Sequence, residues 1–321
     1  MVKLGRKQFL GYKLETTAGT AIAIANANYH LVEDVSIEFT GDENERVGNL
    51  GSLDSMAGVT GSLVGTISFT TELRGGGAEG TAPTDLSLWK ACGFECGESD
   101  YSSGGTSPAN AMIVDQASPA DMKTVTFRYF SDGMQWDMKG AVGNVSVTME
   151  SGMIGKCAWT FTGMVDGIPA DGTNPTPSYN TTVPPVCQNT TMTLDSGTAF
   201  GVCTKLEFDM GNEVTSRRDM SQTFGYTIPQ ITRRLGTGTM TVEIPTSSAY
   251  HWQNIWNNKT KIDGSILVGS TQYNKMTWAW DMVLTGSPQT TDADGILVYE
   301  VPFSLITNNL AGNNTINLVY T

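Results

Sequence analysis

The stretch VTGSLVGTISFTTEL, residues 59–73, places apolar residues at nearly every odd position and polar residues at nearly every even position. A period of two is typical of a β-strand that has one face on a core and one toward water. A related stretch, ITRRLGTGTMTVEI, occupies residues 231–244. Because the second stretch repeats the alternation of the first, we predict equivalent strands in two related units.

The two stretches match at three apolar positions, which align Leu63 with Leu235, Ile67 with Met240 and Phe69 with Val242. The apolar positions shift by one residue between the first match and the second, beside Gly236 and Gly238. An extra residue beside glycines is typical of a β-bulge, which bends a strand and changes its twist. We therefore predict a bulge at residues 236–238.

Other segments recur in the same order along the chain. They are IEF at 37–39 and LEF at 206–208, each soon followed by a glycine, then the tryptophan-containing helix candidates LSLWKAC at 86–92 and YHWQNIWNN at 250–258, and finally the hairpin strands GKCAWTF at 155–161 and GILVYEV at 295–301. The offset between matched segments falls from near 170 to 140 because residues 95–120 have no counterpart. With the opening stretch and the polar loop that follows the glycine, these segments make five elements in one order, which indicates duplication of a whole domain.

The predicted fold class is all-β, with tandem duplicated antiparallel β-sandwich domains that contain one short helix each. The first domain is predicted at 1–165 and carries a basic N-terminal arm and the insertion at about 95–120. A linker rich in Pro, Asn and Gly follows at 166–195, and the second domain is predicted at 196–321.

Composition limits the function. Only 16% of residues are charged and the net charge is −13, although the first thirteen residues contain four basic side chains and no acid. An acidic surface repels phosphate backbones, which argues against stable nucleic-acid binding. The low charge fits either a surface covered by partners or a β-rich protein that uses Thr and Ser on its strands.

No sequence motif predicts an enzyme, a cofactor or a metal. GGGAEG at 75–80 has the spacing of a dinucleotide fingerprint but lies among antiparallel strands, and TDADG at 291–295 is better explained as a tight turn than as part of a calcium loop. The two histidines lie in different halves, and five scattered cysteines form no disulfide framework. No apolar stretch is long enough to span a membrane. We expect no membrane anchor and a protein made in a reducing cytoplasm.

The chain resembles the major tail tube proteins of long-tailed, siphovirus-like bacteriophages. The similarity is carried by LETTAGTA, VEDVSIEF, GSLVGTISFTTELRG, LSLWKACGF, DGMQWDMKGAVGNVSVTMESGMIGKCAWTFTG and DADGILVYEVPFSLI. It implies two packed antiparallel sheets with a flanking helix, in domains whose inner sheets join edge to edge into a ring. Members with two such domains per chain imply trimeric, pseudo-hexameric rings.

The resemblance also implies partners and a location. Homo-oligomeric rings would stack into a tube, contact the tape measure, tail terminator and distal tail proteins, and let DNA pass without specific binding. The protein would then be a structural component of the virion tail, assembled in the cytoplasm of the host bacterium.

Two sets of residues become candidate interface residues. The loops at about 41–57 and 211–228 match in position the loops that reach a neighbouring ring, and their charged candidates are Asp42, Glu43, Glu45, Arg46, Asp54, Arg217, Arg218 and Asp219. The alternative is two solvated loops without a partner. The candidates for the lumen face are Thr60, Ser62, Thr66, Ser68 and Thr70, and the alternative for these is an outer solvent face.

A second function class is a two-domain β-sandwich binding module, such as a carbohydrate-binding adhesin or a baseplate component. Such a module needs an exposed aromatic platform, for which Trp136, Trp278 and Trp280 are the candidates. The last two share a strand face with Met282 and Leu284, which predicts that they belong to the core.

Overall fold

The computed structural model is an antiparallel β protein, which confirms the predicted all-β fold class. It describes residues 5–48, 54–78, 81–96, 112–116, 122–195, 197, 200–246, 250–307, 312 and 314–321. Every strand pairing within this described part is antiparallel. This pattern follows from the short alternating runs of the sequence, which Gly, Asn, Asp and Pro separate.

The strands are β1 (Gln8–Leu14), β2 (Tyr29–His30), β3 (Glu33–Asn44), β4 (Val59–Glu72), β5 (Phe94–Cys96), β6 (Met112–Gln116), β7 (Val125–Ser131), β8 (Met134–Glu150), β9 (Lys156–Val165), β10 (Ala170–Asp171), β11 (Thr191–Leu194), β12 (Cys203–Asp209), β13 (Asn212–Arg218), β14 (Tyr226–Arg234), β15 (Thr237–Glu243), β16 (Ile262–Val268), β17 (Met276–Leu284), β18 (Gln289–Ala293), β19 (Ile296–Leu305) and β20 (Ile316–Tyr320). The helices are α1 (Leu86–Ala91) and α2 (Trp252–Asn258), with a 3₁₀ turn at Asn26–Asn28.

One order of strand pairing occurs twice. We call residues 5–171 the N-terminal unit and residues 191–321 the C-terminal unit. The N-terminal unit pairs its strands in the order β3, β4, β9, β8, and a second layer pairs β1 with β7 and β7 with β8. The corresponding strands of the C-terminal unit are β12, β15, β19, β18 and then β11, β16, β17. The long strand β8 serves both layers of its unit, whereas β17 and β18 divide these roles.

The two units are joined edge to edge by β8 and β12. Residues 146–150 pair with residues 205–209, while the same part of β8 also pairs with β9 on its other side. The result is an unbroken sheet of eight strands in the order β3, β4, β9, β8, β12, β15, β19, β18. We call it the long sheet.

The hydrophobic core runs through both units without interruption. Trp89 of α1 meets Trp159 of the long sheet edge-on at 5.0 Å between ring centroids, and meets Trp278 of the C-terminal unit at 5.5 Å. All three indoles are at most 1% exposed. Aromatic contacts of this kind stabilise beyond the burial of area alone, so α1 helps to hold the two units together.

The predicted bulge at residues 236–238 is wrong. The second stretch is divided between β14 and β15, which belong to different sheets, and β15 pairs with β19 in unbroken register. Gly65 lies opposite Phe39 as Gly238 lies opposite Phe208, so one constant offset relates β4 to β15. The shift of the apolar pattern therefore reflects the end of β14, and the pairing of Leu63 with Leu235 does not hold.

Parts of the predicted insertion and linker are strands. Within the predicted insertion at 95–120, β5 and β6 pair with each other, and β6 pairs with β20 of the C-terminal unit; residues 97–111 and 117–120 lie outside the described residues. Within 166–195, β10 pairs with β8 and β11 pairs with β16. The division of the chain into domains stays a prediction.

Candidate assembly interface

One face of the long sheet is polar over both units. In β4, Ile67 and Phe69 are buried in the core, while Thr66, Ser68 and Thr70 point away from it and are half-exposed. Their partners in β9 are Thr162, Thr160 and Ala158. The face continues across the joint, where Ser146 lies opposite Asp209 and Thr148 opposite Glu207. The hydroxyl-rich surface is thus a property of the whole sheet.

Carboxylates dominate the charge of this polar face. The acidic side chains placed there by strand alternation include Glu38, Glu72, Glu150, Glu207, Asp209 and Glu300. Lys156 binds Glu33 at 2.5 Å and Lys205 binds Glu207 at 2.8 Å, and these hydrogen bonds raise the pKa of both lysines. Since each lysine already has a carboxylate partner, the face offers a passing polyanion little attraction.

The long sheet ends in two edges that are open within the described residues. β3 pairs only with β4, and β18 pairs only with β19. All five residues of β18 are exposed. Leu297, beside this edge, is 55% exposed, whereas Cys157 at the equivalent place beside the β8–β12 joint is fully buried. Open antiparallel edges with apolar neighbours are templates for pairing with another chain.

The hairpin β13–β14, which we call the arm, leaves the C-terminal unit and lies on the N-terminal unit. Asn212 at its base is 9% exposed, and its side-chain amide donates to the carbonyls of Cys92 at 2.8 Å and Gly143 at 3.0 Å. Arg234, at the other side of the base, donates to the carbonyl of Gly93 at 2.6 Å. These bonds fix the arm to the end of α1 and to β8.

The outer part of the arm contacts β4 and the loop after β1. The N–H of Leu63 donates to the carbonyl of Phe224 at 2.9 Å, and Gly225 contacts Ser62 closely. Gly19 and Gly140 leave room for Ile228, since a Cβ at Gly19 would lie 2.8 Å from the Ile228 side chain. Both glycines have positive φ, at 76° and 60°. The two positions therefore require glycine both for the space that Ile228 occupies and for the backbone conformation.

A buried carboxylate fixes the backbone around Ile228. Glu15 is 5% exposed and accepts hydrogen bonds from the N–H groups of Gly19 and Gly140, each at 2.7 Å. It also accepts from the hydroxyls of Thr124 at 2.6 Å and Thr126 at 2.8 Å. Four donors satisfy the carboxylate without a cation. Glu15 thus holds both glycines against Ile228.

Two of the predicted inter-ring residues form an ion pair in the structure. Arg218, at the end of β13, binds Asp42 of β3 at 2.9 Å within the same chain. Glu45, Arg46 and Asp54 are exposed, and Glu43 pairs with Thr60 at the backbone. The segment 211–228, predicted as a loop, contains β13 and the beginning of β14 and is therefore largely a hairpin.

The remaining predicted residues lie near the arm. Arg217 is exposed, and hydrogen bonds from Ser221 lower the pKa of Asp219. Thr60 is exposed at the start of β4, whereas Ser62 contacts the tip of the arm. The lumen candidates therefore divide between open positions of the polar face and one position that the arm covers.

Sequence reasoning missed the residues that hold the arm in place. Asn212, Gly225 and Ile228 contact residues far away in the sequence, so no local spacing marks them. Glu15 lies in the quoted LETTAGTA segment, where an acid among small residues was the one available signal. A buried acid has to be hydrogen-bonded, but the sequence does not say by which groups.

The described residues contain no group of His, Cys, Asp and Glu that could hold a metal ion. His30 and His251 lie in different units, and burial lowers the pKa of His30 to about 4. The segment at 75–78 is a packed loop in which the N–H of Gly75 donates to the Asn274 side chain at 2.8 Å. Asp294 and Gly295, both with positive φ, form the turn between β18 and β19, which confirms the tight turn predicted at 291–295.

Two of the three tryptophans considered for a binding platform belong to the core. Trp278 is fully buried and Trp280 is 3% exposed, which confirms that they belong to the core. Trp136 is partly buried and meets Tyr129 at 5.3 Å between ring centroids. Trp136 is therefore the one candidate of the three that keeps part of its surface exposed.

Comparison with known families agrees with this geometry. A family model described as phage tail tube protein matches residues 5–305, nearly the whole chain. A comparison with curated proteins finds no match. Among the described residues, no helix combines the length and the apolar character needed to cross a membrane. The chain belongs to the phage tail tube protein family, and it is a structural protein of the phage tail.

Proposed function

We propose that three copies of the chain close into a ring of six units, and that rings stack into the hollow tube through which DNA leaves the capsid. The observation that carries this proposal is the β8–β12 joint between the two units. The strand in the place of β12 in the N-terminal unit is β3, and the strand in the place of β8 in the C-terminal unit is β18. These are the two open edges, so each copy offers one half of the same joint at each end.

The joint within the chain gives the register of the joint between copies. Ser146 lies opposite Asp209 in the β8–β12 pairing. Thr291 occupies the place of Ser146 opposite β19, and Thr40 occupies the place of Asp209 opposite β4. Thr40 of one copy would therefore face Thr291 of the next, and the new strand would cover the exposed Leu297.

The polar face supports the assignment of the lumen. A closed ring has no free edges, and its barrel would present the polar face to water in the channel and the apolar face to the core. Thr66, Ser68 and Thr70 would line this channel. The carboxylates of the face and the net charge of −13 would keep DNA from adhering during its passage.

The charged segments at the ends of β3 and β13 are proposed to set the contact between rings. Glu45, Arg46, Asp54 and Arg217 are exposed, and Arg218 and Asp42 form an ion pair. Complementary charge fixes orientation more than affinity. The tube would contact the tape measure, tail terminator and distal tail proteins. Its assembly would take place in the host cytoplasm.

A cysteine pair tests the register. Thr40→Cys and Thr291→Cys are introduced into one chain in which Cys96 and Cys203 are replaced by serine. After mild oxidation, we expect a closed covalent trimer on a non-reducing gel. Ser36→Cys with Thr291→Cys is the matched control, because four residues of strand displace the thiol by about 13 Å. Equal cross-linking of both pairs, or none with the first pair in tubes, would contradict the register.

A further inference from the structure

The two units are connected in a second layer, away from the long sheet. Strand β6, which the N-terminal unit supplies, pairs with β20 of the C-terminal unit through residues 112–114 and 318–320. β20 in turn pairs with β17. The outer layer of the C-terminal unit is therefore extended by a strand of the N-terminal unit, at a different place from the β8–β12 joint.

Asn274 forms a second connection in this outer layer. Its side chain is 8% exposed, accepts from the N–H of Gly75 at 2.8 Å and donates to the carbonyl of Val183 at 2.8 Å. One amide thus binds both the N-terminal unit and the segment between the units. The N–H of Gly77 also donates to the carbonyl of Tyr273 at 3.0 Å. We call β6–β20 and Asn274 the outer lock.

Within the part of the chain that the structure describes, the C-terminal unit supplies no counterpart of β6. The segment that precedes β6 follows α1, whereas only residues 259–261 separate α2 from β16. Three residues cannot supply another strand. If copies join through β3 and β18, that joint consists of the long-sheet strands and the neighbouring surface, without a strand equivalent to β6.

Two layers of contact fix an angle that one layer leaves free. A joint of one strand pair is a single hydrogen-bonded ladder, and the two units can rotate about the direction of its strands. A second contact in the other layer, about 10 Å from the first, prevents this rotation of the two units about the joint.

We propose that the outer lock sets the angle between the two units and thereby limits the ring to three chains. This inference rests on the proposed ring. A ring of six units turns by about 60° at each joint. If the joint within the chain is locked at that angle, a ring of four chains requires the other joints to fall to about 30°. The whole change then falls on the joints between copies, about 30° at each.

Without the outer lock, the change of angle that a fourth chain requires is divided equally among all joints of the ring. A ring of four chains has eight joints of about 45°, so every joint moves by about 15°, half the change that a locked chain imposes on the joints between copies. Loss of the lock should therefore produce rings of three and four chains side by side, whereas the intact protein should produce three-chain rings alone.

The test uses Asn274→Ala, which removes both hydrogen bonds, and Asn258→Ala, the same change on an exposed helix, as the matched control. Val114→Pro is a second variant, because proline removes a ladder donor from β6. Class averages of rings in electron micrographs give the number of chains. We expect mixed ring sizes for Asn274→Ala and Val114→Pro, and uniform rings for the control. Uniform three-chain rings in Asn274→Ala would overturn the proposal.

A measurement on the monomer separates this proposal from the ring itself. Spin labels at Gln8 and Thr191, on equivalent outer strands of the two units, report the distribution of distances between units in the background without Cys96 and Cys203. We expect a narrow distribution for the parent and a broader one for Asn274→Ala. Equal widths would overturn the lock even if tubes form. Absence of rings from the unaltered protein, with a broadened variant distribution, would instead contradict the proposed function alone.

Discussion

At the scale of single residues, Asp85 shows what burial does to a carboxyl group in this core. It is 2% exposed at the start of α1, and its Oδ2 accepts from the indole N–H of Trp89 at 3.3 Å. Its Oδ1 has no hydrogen-bond partner among the described residues. Burial raises the pKa of Asp85 to about 7, against the weaker lowering effects of hydrogen bonds and Arg74. Near neutral pH this group therefore changes its charge inside the core.

We expect Asp85→Asn to flatten the pH dependence of stability. Because the folded-state pKa lies above the usual 3.8, the stabilisation by the proton is complete below about pH 4 and is lost as pH rises through about 7. The unaltered protein should lose about 2–4 kcal/mol relative to the variant between pH 4 and 8. Urea unfolding at both pH values measures this, with the exposed Asp34→Asn as control. Parallel pH profiles for parent and Asp85→Asn would contradict the assignment.

Glu15→Gln should destabilise the protein without changing its charge pattern elsewhere. All four partners of Glu15 donate hydrogen bonds, so an amide NH₂ in place of one oxygen leaves a buried donor facing another donor. The expected loss is about 1–3 kcal/mol in urea unfolding. Glu38→Gln, an exposed position on β3, should cost less than about 0.5 kcal/mol. Equal effects at both positions would show that the buried carboxylate is replaceable.

At the scale of elements, the charged residues of the arm can be replaced without unfolding the arm. Arg218 and Asp42 are 66% and 40% exposed at their side chains, and an exposed ion pair contributes about 0–1 kcal/mol. Changing Arg217 and Arg218 to Glu should therefore leave the unfolding midpoint nearly unchanged, while shortening or abolishing tubes in electron micrographs. Tubes of normal length from the double variant would remove these residues from the contact between rings.

The edge beside β18 gives a second prediction at this scale. Leu297 is 55% exposed in the single chain, so Leu297→Asp should preserve the folded monomer. The charge would be buried if β3 of another copy covered this edge, and assembly should then fail in sedimentation assays. Ile168→Asp, at a residue that is 75% exposed and lies on neither β3 nor β18, should assemble normally. Normal assembly of Leu297→Asp would argue against the β3–β18 joint.

The sequence predicts the elements whose pattern is local. β4, α1, α2 and the hairpin β8–β9 follow from alternation, from tryptophan-containing helical segments and from turn residues. The arm does not, because β13 has exposed residues throughout its outer half and its docking depends on Asn212 and Ile228 meeting the other unit. The break between β14 and β15 produces the same one-residue phase shift as a β-bulge, so the sequence alone does not distinguish the two.

At the scale of the whole molecule, the sequence predicted repetition but not how the units meet. The pairing of β6 with β20 joins segments about two hundred residues apart (from Met112 to Tyr320), and no periodicity marks such a contact. The polar face was predictable in β4 from Thr66, Ser68 and Thr70. Its continuation through β8 into β12 depends on a register that only the folded chain supplies.

Electron microscopy of the purified, concentrated protein tests the central claim most directly. The account predicts uniform hollow tubes built of stacked rings, with six similar units per ring contributed by three chains. Image averages along the tube axis should show six density lobes in three equivalent pairs. A protein that remains a folded monomer at every concentration, or that forms open filaments without a lumen, would contradict the account.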